Sequence, residues 1–223
     1  EYNLVENPHR HNSSQSIKHF LRAVDKLQPA HKKRGPYFFM FNGQFRKLSY
    51  DYANSLINFS FNGYNHNDIN SLAPFNLLSY KLRRKIVVLL TKDVRHNFYP
   101  KLVDYCSWPS EDNFLDKTNE YLNSLSVAAN PCSKGIVVFD QLFPSSNLDR
   151  YIRYFLSSKT ILVNRDPRDV YLCSTKEIHD HVIPTKDINQ FCEWYDNTRK
   201  QNAHIDTKSI MEIDFESLVL DFN

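Results

Sequence analysis

Residues 159–174 read Lys-Thr-Ile-Leu-Val-Asn-Arg-Asp-Pro-Arg-Asp-Val-Tyr-Leu-Cys-Ser, and no other stretch restricts the fold as much. Thr160, Ile161, Leu162 and Val163 form a short apolar run rich in β-branched side chains, the pattern of a buried parallel strand. The residues that follow open a helix. Asp166 supplies an N-cap, Pro167 suits the first helical position, and Asp169 stands at N3 against the positive helix end. Arg165 therefore falls where a strand stops and a helix begins, the edge at which open α/β sheets bind phosphorylated ligands. A planar guanidinium there suits an anion. The other assignment is a well-capped strand–helix turn in which Arg165 pairs with Asp166 or Asp169, and the residues alone leave both open.

The surrounding pattern extends this local reading into a fold class. From residue 134 onward the chain reads strand, helix, strand, helix, a long helix over about 185–203, strand, helix. Strands are expected at 136–139, 160–164 and 210–214, with a helix at 147–155. Such alternation predicts α/β architecture with a parallel sheet and helices on both faces. Upstream, Ile17, Phe20, Leu21, Val24 and Leu27 recur at helical spacing within 14–27, with Ser available as cap. Residues 31–36 form a basic linker, and 37–41 a short aromatic strand or buried segment. Residues 44–130 read as predominantly helical, with helices over 78–105 and 113–127 and loops at 60–74 and 107–112. A helical stretch in that place is expected as an insertion that covers the site and reads the acceptor. Hydrophobic content of 41% is ample for a packed core, and 223 residues fit a single α/β domain with an insertion.

The run from Arg165 to Ser174 resembles the 3′-phosphate-binding motif of sulfotransferases, in which a strand ends in Arg, x-Pro-x-Asp follows, and a Ser lies about two turns into the helix. Residues 134–155 resemble the strand, loop and helix that precede this motif. Residues 210–219, Ile-Met-Glu-Ile-Asp-Phe-Glu-Ser-Leu-Val, resemble the family's strand followed by [Tyr/Phe]-Glu-x-Leu. The resemblance implies a three-layer parallel sheet of the P-loop type and 3′-phosphoadenosine 5′-phosphosulfate as donor, with Arg165 on its 3′-phosphate. Family spacing sets the serine eight residues after the arginine, at Cys173, whereas Ser174 lies one further on, a rotation of about 100°. Both are carried as candidate donor-binding residues. The family's phosphate loop has no counterpart, because Gly35, Gly43, Gly63 and Gly135 lie in no Gly-x-x-Gly-Lys cradle. With Glu1 first and Asn223 last, the chain is expected to be a piece of a longer protein whose phosphate loop lies upstream.

The implied reaction is sulfuryl transfer to a hydroxyl, which needs a base as well as a donor anchor. Glu1-Tyr2-Asn3-Leu4 resembles the Glu-x-Asn-x segment of the glycan-modifying branch, whose glutamate is the proposed base; this implies a carbohydrate acceptor. Asp140 is a second candidate, placed at the end of the strand expected at 136–139, with Gln141 beside it to meet acceptor or sulfate. His9 and His11 are next in order. His179 and His181 form the other close pair, but no third ligand marks a metal site. Lys134 and Arg168 read as solvated, Arg168 with Asp169 in reach, and Trp108, Trp194 and Tyr195 as core.

A net charge of +3 is too mild for a nucleic-acid binder. The clusters Lys32-Lys33-Arg34 and Arg83-Arg84-Lys85 read as solvated surface, or as attractors of an anionic donor or acidic glycan. Cys106, Cys132, Cys173 and Cys192 show no paired spacing, so neither a disulfide scaffold nor a zinc site is expected. No apolar run reaches the roughly 18 residues of a membrane span. Asn12 and Asn58 head glycosylation-type triplets. The default compartment is the cytoplasm, with the Golgi lumen open if the source is eukaryotic. Two other classes stay open: a small-molecule kinase using the same strand end, and a non-catalytic module of the same fold.

Overall fold

The computed structural model describes residues 2–31, 34–63, 74–91, 103–132, 134–140, 142–144, 146, 148–155, 158–178, 183–200 and 210–220. They divide into two units, residues 1–134 and residues 135–223.

In the first unit three helices share one core. Helix α1 (Arg10–Leu27) starts four residues before the expected 14, capped by His9, whose Nδ1 accepts from the His11 N–H at 3.3 Å. Its buried side carries Ser13, Ser14, Ile17 and Val24. Residues 37–41 do not form the strand offered for them: Pro36 at the first helical position starts the short helix α2 (Pro36–Met40), which delivers Phe41 into the core. The chain then turns through Asn42 (φ 50°) and Gly43 (φ 75°). A Cβ on Gly43 would come within 3.0 Å of the Phe38 ring, so glycine is required there. Helices α3 (Phe45–Ser55) and α5 (Glu111–Ala129) pack through Phe45, Ala53, Phe114, Leu125 and Ala128. Tyr52 and Tyr121 stack at 4.6 Å between them, and their hydroxyls meet Thr118 Oγ1 at 2.8 Å and Ser49 Oγ at 2.7 Å. Burial raises the pKa of the Tyr121 phenol.

The stretch expected to be helix and loop also holds strands. Strands β1 (Phe59–Asn62) and β2 (Val103–Cys106) pair antiparallel, with Phe59 opposite Cys106. Helix α4 (Pro74–Thr91) stops short of the expected 105, and residues 92–102 lie outside the described part. Asp104 and Cys106 share the inward face of β2, as period-two alternation requires. Asp104 is fully buried, which would be costly if it were unpaired. Helix α1 meets it with Arg10, Ser14 and Lys18, four residues apart and so on one stripe. Arg10 Nη2 donates to Oδ2 at 3.2 Å and Lys18 Nζ to Oδ1 at 3.2 Å. The Ser14 hydroxyl donates to Oδ1 and accepts from the Tyr105 N–H at 3.2 Å. Burial alone would raise the Asp104 pKa, but these donors together hold it below the ordinary carboxylate value.

In the second unit, strands β3 (Thr160–Asn164) and β4 (Ile210–Asp214) pair in parallel, Thr160 with Ile210 through Asn164 with Asp214. The fold is thus mixed α/β, mostly helical, with two short two-stranded sheets among the described residues. The third strand expected at 136–139 does not form: the segment joins no ladder, and Ile136 and Val138 are 91% and 83% exposed. Helix α6 (Leu148–Ile152) is shorter than expected and buries Leu148. Helix α7 (Pro167–Cys173) follows β3 and runs into a π turn, Ser174–Ile178. Helix α8 (Ile188–Lys200) starts later than 185 because Asp187 Oδ1 accepts from the N–H of Asn189 at 2.7 Å and of Gln190 at 3.3 Å. It packs on α7 through Phe191, whose ring meets Tyr171 edge-on at 5.1 Å. Helix α9 (Phe215–Leu220) follows β4 directly.

Candidate functional site

Parallel pairing ends two strands at one edge. Asn164 is registered with Asp214, so Arg165 and Phe215 are the first residues past the ladder. The Arg165 guanidinium lies over the Phe215 ring, 5.1 Å from its centroid, a cation–π contact. The residue is half-buried and its Nε is buried without a partner. Among the described residues no carboxylate or other acceptor meets the side chain. The expected pairing with Asp166 or Asp169 does not occur.

The carboxylate nearest in sequence is committed elsewhere. Asp166 caps α7 by accepting from the Arg168 N–H at 2.8 Å, and it also accepts from Arg168 Nε at 3.0 Å. These bonds lower its pKa to about 2, and the same pairing raises that of Arg168. Arg168 therefore pairs with Asp166, not Asp169, and neutralises the carboxylate adjacent to Arg165 in sequence. The backbone of the turn is held from two sides. The Tyr195 hydroxyl of α8 donates to the Arg165 carbonyl at 2.6 Å, and the Asp166 N–H donates to Glu216 Oε1 of α9 at 2.9 Å. Arg199 Nη1 donates to Asn164 Oδ1, and Asn164 Nδ2 donates to Glu212 Oε2 at 3.4 Å. A half-buried guanidinium on a clamped turn, lacking a counter-ion, offers its donors to an anion with little reorganisation.

The other sequence-derived candidates fall less neatly. Cys173 is a half-buried free thiol, and Ser174, at the C-cap of α7, keeps 4% of its exposure. The π turn begins at Ser174, so it does not change the register of that residue relative to Arg165. Asp140 is exposed and stands at no strand end, since residues 136–139 form no strand. Glu1, Gln141, His179 and His181 lie outside the described residues. The His9 and His11 rings lie 5.3 Å apart, tilted by 42°, at the start of α1, and Lys134 is exposed. Trp108 is 44% exposed, touching Phe59 edge-on, whereas Trp194 and Tyr195 pack around the buried Phe191. Among the described residues no three His, Cys, Asp or Glu side chains gather as a metal site needs.

Sequence reasoning passed over Phe215, Glu216, Tyr195 and Asn164 as parts of this site. The available signal was register: two strands that end together bring the residues after each into contact, so Phe215 and Glu216 belong with Arg165 and Asp166. Comparison with family models, with curated proteins and with solved structures returns no match.

Proposed function

We propose that this chain is a sulfotransferase-type domain that binds 3′-phosphoadenosine 5′-phosphosulfate and passes its sulfuryl group to a hydroxyl acceptor, a carbohydrate by the likeness around Glu1. In this reading β3 and β4 belong to a three-layer parallel sheet of the P-loop type. One observation carries it: Arg165, at the head of Arg-Asp-Pro-Arg-Asp, presents a half-buried guanidinium with no acceptor among the described residues. Arg165 holds the 3′-phosphate, with Phe215 beneath it and Tyr195 and Glu216 fixing its backbone. Cys173 or Ser174 adds a further contact from α7.

In the reaction the acceptor oxygen forms a bond to sulfur as the bond from sulfur to the phosphosulfate bridging oxygen breaks. The hydroxyl proton passes to a carboxylate, and the leaving nucleotide keeps the electron pair. Glu1 and Asp140 are the two candidate bases. Glu1→Gln lowers turnover by about 10²–10⁴ with nucleotide affinity unchanged if Glu1 is the base; the reverse ranking assigns the role to Asp140.

Calorimetric titration with 3′-phosphoadenosine 5′-phosphate and with ATP tests the class. The bisphosphate should bind and ATP should not displace it. Preference for ATP makes the strand end that of a kinase-type transferase, and binding of neither removes the nucleotide reading.

A further inference from the structure

Helix α4 (Pro74–Thr91) carries an exposed apolar stripe. At about 100° per residue, Phe75, Leu78, Leu82, Ile86, Leu89 and Leu90 fall within an arc of about 120°. They are 52–80% exposed and run roughly 22 Å along the axis at 1.5 Å per residue. On the other side Leu77, Tyr80, Val87 and Val88 are half-buried. The exposed stripe and the half-buried side are therefore opposite faces of an amphipathic helix. A continuous patch of this kind marks an interaction surface.

Charge identifies the occupant. All four charged residues of the helix are basic: Lys81, Arg83, Arg84 and Lys85. Lys81 and Lys85 border the stripe on one edge and Arg83 on the other, where long stems can lie along apolar surface while their heads stay in water. Cations along both borders suit a plane of negative charge. A second copy of this chain would set four cations against four. Among the described residues no helix is long and apolar enough to cross a membrane; a helix with one apolar face and basic borders suits the membrane surface instead. We propose that α4 docks the protein on an anionic phospholipid surface, with the Phe75–Leu90 stripe at the acyl boundary and Lys81, Arg83 and Lys85 on the headgroups. This inference does not depend on the sulfotransferase reading.

Co-sedimentation of the whole chain with vesicles of phosphatidylcholine, alone or mixed with phosphatidylserine, tests it. Binding should be at least about tenfold tighter to the anionic vesicles and should weaken as salt rises. Each basic residue near such a surface is worth about fivefold, so Lys81→Gln/Arg83→Gln/Lys85→Gln should lose about a hundredfold. Leu78→Asp/Ile86→Asp, with helicity retained by circular dichroism, should abolish binding. Should that variant fail to fold, the lipid and salt dependence of the unaltered chain still decides. Equal binding to both vesicles, or none, overturns the proposal. So does a concentration-dependent dimer that Leu78→Asp/Ile86→Asp dissolves, which would assign the stripe to a second copy.

Discussion

Asp104 in the first unit and Arg165 in the second are both ionic side chains drawn in beside short strands, and their surroundings treat them in opposite ways. Asp104 is fully buried and receives two cations and a hydroxyl from one stripe of α1. Its charge is matched inside the protein and is spent on joining α1 to β2. Arg165 receives an aromatic ring and a clamped backbone but no anion among the described residues, while the adjacent Asp166 is taken by Arg168. The comparison separates two uses of a buried charge. Where the sequence supplies the counter-ions, the charge organises the fold; where it withholds them and diverts the one nearest in sequence, the charge is left available, as the proposed anion site requires.

Breaking the first half of that comparison should give the largest stability effect. Asp104→Ala removes the buried carboxylate that Arg10, Ser14 and Lys18 share, and removing one member of a buried pair costs about 3–5 kcal/mol. Urea unfolding monitored by circular dichroism measures it, and a loss under about 1 kcal/mol would place the network among surface ion pairs. The same carboxylate predicts the acid limb of stability. Its folded pKa is depressed, so its contribution is complete above the unfolded value of 3.8 and disappears as pH falls from there through the folded value. Asp104→Asn should flatten that limb below the unfolded value of 3.8, and an unchanged limb would contradict the assignment.

On the second side the expected effects are smaller. Glu216→Ala leaves the Asp166 N–H without its acceptor and should cost about 1–3 kcal/mol, with weaker anion binding as the Arg165 turn loosens. Tyr195→Phe removes one donor to the Arg165 carbonyl and should cost about 0.5–1.5 kcal/mol. If either variant binds the nucleotide as tightly as the unaltered chain, the clamp is structural and does not position Arg165.

The legible parts of the molecule were those specified locally. Asp166, Pro167 and Asp169 announce the start of α7 whatever surrounds them, and β3 and β4 follow from short runs that include Ile161, Leu162, Val163, Ile210 and Ile213. Residues 136–139 have the same strand-like composition yet form no strand, because a strand exists only by pairing and none of the described segments pairs with them. Residues 37–40 are rich in aromatics but helical, since Pro36 fixes the backbone at the first helical position more firmly than aromatic content favours a strand. The Asp104 network was present as Arg10, Ser14 and Lys18 at four-residue spacing. Its purpose became visible only when β2 brought a carboxylate 86 to 94 residues away in sequence to that stripe. The Arg165 site was half legible for the same reason: the arginine was marked by its own neighbours, its platform Phe215 only by the register of β3 against β4.

On the proposed function, Arg165 is kept unpaired for an anionic ligand. The direct measurement is isothermal titration of 3′-phosphoadenosine 5′-phosphate into the unaltered chain and into Arg165→Ala, with thermal unfolding of both without ligand. A charge-assisted phosphate bond is worth about 1.5–3 kcal/mol, so affinity should fall roughly ten- to a hundredfold in the variant. The unfolding midpoint should shift little or rise, because the half-buried arginine has no partner to lose beyond the Phe215 ring. Equal affinity in the two proteins, together with a marked loss of stability in Arg165→Ala, would contradict the account and make Arg165 a structural residue.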